Sequence, residues 1–144
     1  MMAMKERGQS KPLILITIQH NTHKPMNKQE IIDWERQNRN STNRGTKSYG
    51  CIYSPTESSP GCAVGRLIAD KVLCDQLDEE GYKGINTSIR CVFDKLPLEI
   101  QDLGKRFLAE LQRWHDNELN FTETGLSEQG RTRLDEIEGK YITG

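Results

Sequence analysis

The chain has 144 residues, enough for one domain with a sizeable buried core. Only 34% of them are apolar, and 20 basic against 21 acidic residues leave a net charge of −1. That balance argues against a nucleic-acid footprint, which needs a clustered basic excess. No segment approaches the roughly 20 apolar residues of a membrane span. The low apolar content fits a small core, or a surface completed by a partner or by a second copy of the chain.

Residues 1–25 read as an N-terminal extension carrying one strand, residues 13–19, rich in Ile. Its apolar run follows Lys5, Arg7 and Lys11 but is shorter than a signal-peptide core and lacks a small-residue cleavage site. The expected location is therefore the cytoplasm. There Cys51, Cys62, Cys74 and Cys91 would stay reduced. Their gaps match no zinc pattern, so neither metal nor cofactor is expected.

Residues 26–144 read as a single globular α-rich domain. Asn27 caps its first helix, with Glu30 three residues on in capping-box position. Ile31, Ile32 and Trp34 carry that helix to about Arg39. Residues 38–50 are polar and form the longest loop, a candidate lid or contact loop. Residues 51–53 are a strand candidate, expected to join residues 13–19 in a small sheet. After a Pro/Ser/Gly turn a helix is expected from Cys62. Val64, Leu67, Ile68 and Val72 mark its buried stripe, and the acidic run 75–80 with Gly81 ends it.

Thr87 or Ser88 starts either a short helix through Val92 and Leu96 or a period-two strand through Ile89, Cys91 and Phe93. Pro97 then opens the strongest helix of the chain. Its stripe is Ile100, Leu103, Phe107, Leu111 and Trp114, and Gly104 on that face suggests a close helix crossing. The helix ends near residues 117–120, and Ser127 caps a last one through Leu134 and Ile137. The fold class is α+β and α-rich, with four or five helices packed on a small sheet.

Several residues are candidates for chemistry. Gly61-Cys62-Ala63-Val64-Gly65 at a helix start is a candidate anion cradle, with Arg66 as a planar fork for phosphate or carboxylate. It is not a Walker loop, because no Gly-Lys-Ser/Thr follows. The competing reading pairs Arg66 with Asp70 at i+4. Cys62 at a helix start suits a nucleophile, or is a small buried residue of a tight turn. His115 and Asp116 end the long helix, as a base or ligand pair or as a hydrogen-bonded structural histidine. Tyr53, Cys62, Gly65, Arg66, His115 and Asp116 form the candidate ligand-binding set.

His20 and His23 lie three apart with no carboxylate between them, a poor metal site. Trp34 and Trp114 read as core anchors. The chain has no paired carboxylates at a known spacing, no nucleophile elbow and no phosphate-binding lysine. A non-enzymatic binding protein is therefore expected ahead of an enzyme, and no residue is assigned as catalytic.

Residues 28–137 resemble a widespread group of small bacteriophage-encoded proteins. The matching pieces are Asn27-Lys28-Gln29-Glu30-Ile31, Cys51-x-Tyr53 and Gly61-Cys62-Ala63-Val64-Gly65-x-Leu67-Ile68. Further on come Leu96-Pro97, Leu103-Gly104-x-x-Phe107-Leu108, Leu111-Gln112-x-x-His115-Asp116 and Gly125-Leu126-Ser127. The resemblance implies an accessory protein of host takeover or counter-defence in the host cytoplasm. Such a protein would occlude a host protein or sequester a small anionic nucleotide signal, and it could act as a homo-oligomer. Two alternatives stand beside it. One is a hydrolase using Cys62 and His115. The other is a DNA-binding regulator, because Leu126-Ser127-x-x-Gly130-Arg131 resembles a helix start of winged-helix proteins.

Overall fold

The computed structural model describes residues 26–44, 46–47 and 50–142. The expected strand at residues 13–19, together with His20 and His23, lies outside the described residues. The described chain is α-rich α+β: six α-helical segments and two minimal antiparallel ladders.

The first helix, α1 (Lys28–Asn38), begins with the capping box foreseen in the sequence. The Glu30 N–H donates to Asn27 Oδ1 at 2.8 Å, and the Asn27 N–H donates back to Glu30 Oε1 at 2.9 Å. Two otherwise orphaned donors are thereby satisfied. Ile31, Ile32 and Glu35 form its buried face.

Strands β1 (Thr46–Lys47) and β2 (Gly50–Cys51) pair antiparallel, with Thr46 opposite Cys51. The ladder stops at Cys51, so Tyr53 is not a strand residue, and Cys51 pairs within its own hairpin. Residues 52–70 carry only one turn of 3-10 helix, Gly65–Leu67. The helix expected from Cys62 instead begins at α2 (Lys71–Tyr82). Asp70 is the reason: its side chain accepts from the N–H groups of Val72 and Leu73, and an Asp cap fixes the start. The acidic run therefore lies inside the helix. Cys74 and Leu77 face the core, while Val72 is exposed.

Ser88 stands at the N-cap position of α3 (Ile89–Val92) without a side-chain capping bond, and the helical alternative holds there. The long helix expected from Pro97 is split into α4 (Leu98–Gln101) and α5 (Lys105–Asp116). Gly104 makes the break. Its φ of 101° is a left-handed conformation that no helix interior tolerates and that favours glycine. It does not mark a helix crossing, since a Cβ there would meet nothing within 4 Å.

A two-residue turn joins β3 (Phe121–Thr122) to β4 (Gly125–Leu126), a hairpin that the sequence reading missed. Ser127 then caps α6 (Glu128–Tyr141), accepting from the Gly130 N–H. The core centres on α5, which buries Phe107, Leu108, Leu111, Trp114 and His115. It packs on α6 through Leu134 and Ile137, while α1 covers α6 and α3 packs on α5. Each fully buried leucine of this set, such as Leu108, Leu111 or Leu134, contributes roughly 1.5–3 kcal/mol. Among the described residues no helix is long and apolar enough to cross a membrane.

Candidate functional site

The deepest polar feature is a charge cluster behind α1. Glu35 is fully buried and faces two guanidiniums. Arg39 donates to it through Nε at 2.8 Å and Nη2 at 3.0 Å, and Arg66 through Nε at 3.0 Å. Burial alone would raise the Glu35 carboxyl. The Arg39 hydrogen bond and the two cationic charges outweigh that and hold it below its ordinary value. Arg66 stacks over the Trp34 ring at 3.8 Å from its centroid. Burial pulls the Arg66 guanidinium below its usual value, and Glu35 opposes the shift.

Arg66 therefore faces inward as an internal clamp and turns its fork away from solvent. Its partner is Glu35, where the sequence offered Asp70. The glycines around it approach backbone. A Cβ on Gly65 would stand 2.6 Å from Tyr53 Cα and closer still to Tyr53 O. A Cβ on Gly61 would stand 2.6 Å from the same oxygen. Nearby backbone donors are already engaged, Cys62 N–H by the Ile52 carbonyl and Val64 N–H by Gln112 Oε1. The expected anion cradle is thus a packing contact under Tyr53, and Cys62 lies fully buried within it.

The described part of the expected lid is also pinned. Arg39 Nη1 donates to the carbonyls of Asn43 and Gly61, and the Ser59 hydroxyl donates to the Asn43 carbonyl. Arg44 donates to the His115 carbonyl through Nε and Nη2.

On the other side of Tyr53 a cleft of about 540 Å³ opens between the loop leading into α3 and one face of α5. Ala109, Gln112, Arg113 and Asp116 sit at helical spacing along that face. Ile89 and Ala109 supply apolar floor, and Arg90 stands on the facing wall. Tyr53 is anchored at both ends: its N–H donates to Asp78 Oδ1 at 2.7 Å and its hydroxyl to the Thr87 carbonyl at 2.6 Å. Gln112 Nε2 donates to Asp116 Oδ1 at 2.9 Å, and His115 Nδ1 lies 3.1 Å from the same oxygen. His115 is fully buried, and its Nε2 has no hydrogen-bond partner among the described residues.

Of the six predicted site residues, Tyr53 and Asp116 line this cleft and His115 stands directly behind it. Cys62, Gly65 and Arg66 belong to the packing beneath Tyr53. The sequence reading missed Arg90, Gln112 and Arg113. The signal for the last two was present: Ala109, Gln112, Arg113 and Asp116 follow the i, i+3, i+4, i+7 pattern beside the Leu108–Leu111 row. It missed Glu35 as well, although Glu35 continues the stripe of Ile31 and Ile32 with Arg39 four residues on. Among the described residues no three His, Cys, Asp or Glu side chains gather as a metal site. Compared with protein-family models, curated proteins and solved structures, the chain finds no match in any of the three.

Proposed function

We propose that the protein is a non-enzymatic binding protein that holds a small anionic ligand in the cleft between α3 and α5. One observation carries this reading. Arg90 and Arg113 are exposed in the same cleft, and among the described residues neither guanidinium donates a hydrogen bond within the chain. Planar guanidinium forks over an apolar floor suit a phosphate or carboxylate attached to a flat body. The hydrolase alternative needs Cys62 and His115 within reach of a substrate; both are fully buried, which favours binding. A DNA-binding role needs a basic face, and the net charge of −1 weighs against it. Sequestering an anionic signal fits the phage-type accessory role that the sequence resemblance implies.

The test is calorimetry with phosphate-bearing nucleotides on wild type, Arg113→Ala and the Arg90→Ala/Arg113→Ala pair. Loss of a charge-assisted contact costs about 1.5–3 kcal/mol, so each arginine removed should weaken binding at least about tenfold with the melting temperature kept. If no phosphate-bearing nucleotide binds wild type, the small-ligand reading fails and a host protein becomes the expected partner.

A further inference from the structure

We infer that the ligand of this cleft is a nucleotide whose base carries an exocyclic amine, and that the free carboxylate oxygen of Asp116 accepts from that amine. The inference rests on the binding reading above and adds the identity of the base edge.

Asp116 is held as an acceptor from behind. Gln112 is almost fully buried, and its Oε1 accepts the Val64 N–H at 3.1 Å. That contact fixes which end of the amide faces Asp116: Nε2, a donor, which reaches Oδ1. His115 Nδ1 approaches the same Oδ1. Both buried neighbours thus use one oxygen. Among the described residues no donor reaches Oδ2, and the Asp116 side chain is 47% exposed. The nearby cation, Arg44, spends its Nε and Nη2 donors on the His115 carbonyl. Oδ1 carries both internal contacts, and Asp116 lines the cleft with its side chain half exposed.

An ionised carboxylate accepts and cannot donate. Arg90 and Arg113 share the cleft with the opposite charge. A ligand satisfying both needs an anionic end, a donor end and a flat body that covers Ile89 and Ala109. A nucleoside monophosphate with an amino-substituted base has those three parts, and about 540 Å³ lies within the usual range of small-ligand sites. A carbonyl in the amine's place sets its lone pairs against Oδ2, and the ring N–H that comes with it reaches Oδ2 only if the base shifts off the Ile89–Ala109 floor, so a base held in the same position is disfavoured.

The experiment compares two matched pairs by calorimetry, AMP against IMP and CMP against UMP. In each pair an amine is exchanged for a carbonyl with the phosphate unchanged. Wild type should prefer the amine in at least one pair by about tenfold or more. Asp116→Asn, whose amide both donates and accepts, should bring that pair within about threefold. Asp116→Ser serves as a second variant, and circular dichroism establishes that both fold. Equal binding within both pairs by wild type overturns the inference and leaves the arginine-based reading standing. A preference that survives both substitutions also overturns it, since another residue then reads the base. If none of the four nucleotides binds wild type, this inference falls, and the reading beneath it falls only if the wider panel of phosphate-bearing nucleotides fails to bind as well.

Discussion

Replacing Glu35 with glutamine removes the negative charge between two buried guanidiniums while nearly keeping the volume. The wild-type carboxylate accepts three charge-assisted bonds, two from Arg39 and one from Arg66. Breaking one partner of a buried ion pair costs about 3–5 kcal/mol, because uncompensated charge stays in the interior. Part of that is offset here. Arg39 keeps the carbonyls of Asn43 and Gly61, and Arg66 keeps its stack on Trp34. The expected loss is therefore near the lower end, about 3 kcal/mol. With a urea slope of about 2 kcal/mol/M, the unfolding midpoint should fall by roughly 1.5 M. Lys71→Ala is the control: the Lys71–Asp75 pair is exposed on both sides, and its loss should leave the midpoint nearly unchanged. The Glu35 carboxyl is held below its ordinary value of 4.5 in the folded chain. Its stabilisation is therefore complete above that pH and is lost as pH falls from there through the folded value. The gap between wild type and Glu35→Gln should narrow over that acid window. A midpoint shift no larger than that of Lys71→Ala, or a gap that stays constant into acid, would refute the reasoning.

Two more outcomes follow from the packing. Gly65→Ala places a methyl against the Tyr53 backbone, which cannot swing aside as a side chain can, and should cost at least about 1–3 kcal/mol in a thermal melt; a melt equal to wild type would mean that no such approach exists. Native protein treated with a thiol reagent and mapped by mass spectrometry should label Cys91 quickly and Cys62 and Cys74 only on unfolding. Both of the latter are buried, and burial pushes the Cys74 thiol up to about 12; rapid labelling of either in the folded chain would contradict the core assignment.

Local signals in the sequence located the elements that local chemistry determines. Asn27 with Glu30, and Ser127 with Gly130, are caps closed within three residues, so reading the sequence finds both helix starts. The α5 stripe was legible for the same reason. What failed was the choice between competing local signals. Cys62 looked like a helix start and Asp70 like a partner for Arg66, whereas Asp70 caps the helix and Gly65 packs on the Tyr53 backbone. Gly104 looked like a small residue on a helix face, yet its backbone conformation ends one helix and begins another. The cleft was half legible. Asp116 and Tyr53 stood out, but 63 residues separate them. Arg90 joins them through a fold contact between α3 and α5 that leaves no mark in the sequence. Arg66 carried the opposite lesson: a cation beside glycines suggests an anion site until a buried carboxylate 31 residues away claims it.

The buried polar residues account for how a chain with so little apolar content fixes the geometry of that cleft. Residues 52–70 lie in no ladder and contain one short helical turn, so their backbone groups need partners from elsewhere. Side chains supply them. Arg39 takes the Gly61 carbonyl, Gln112 the Val64 N–H, Asp78 the N–H groups of Tyr53 and Ser54, and Ser59 Oγ the Gly61 N–H. Replacing this set by apolar residues would leave those backbone groups buried and unpaired, at about 1–3 kcal/mol each. The Asp78 bonds fasten Tyr53, which comes from the irregular segment, to α2, and its hydroxyl bond to Thr87 fastens it to the loop before α3. The Gln112 bond fastens α5 to Val64 in that segment, and Gln112 in turn holds Asp116 on the same helix. Both walls of the cleft are therefore held by the contacts that hold the loop-rich half together. On the proposed function, a ligand entering between them would meet Tyr53, Gln112 and Asp116 already in place, and the side chains left to order would be the exposed Arg90 and Arg113.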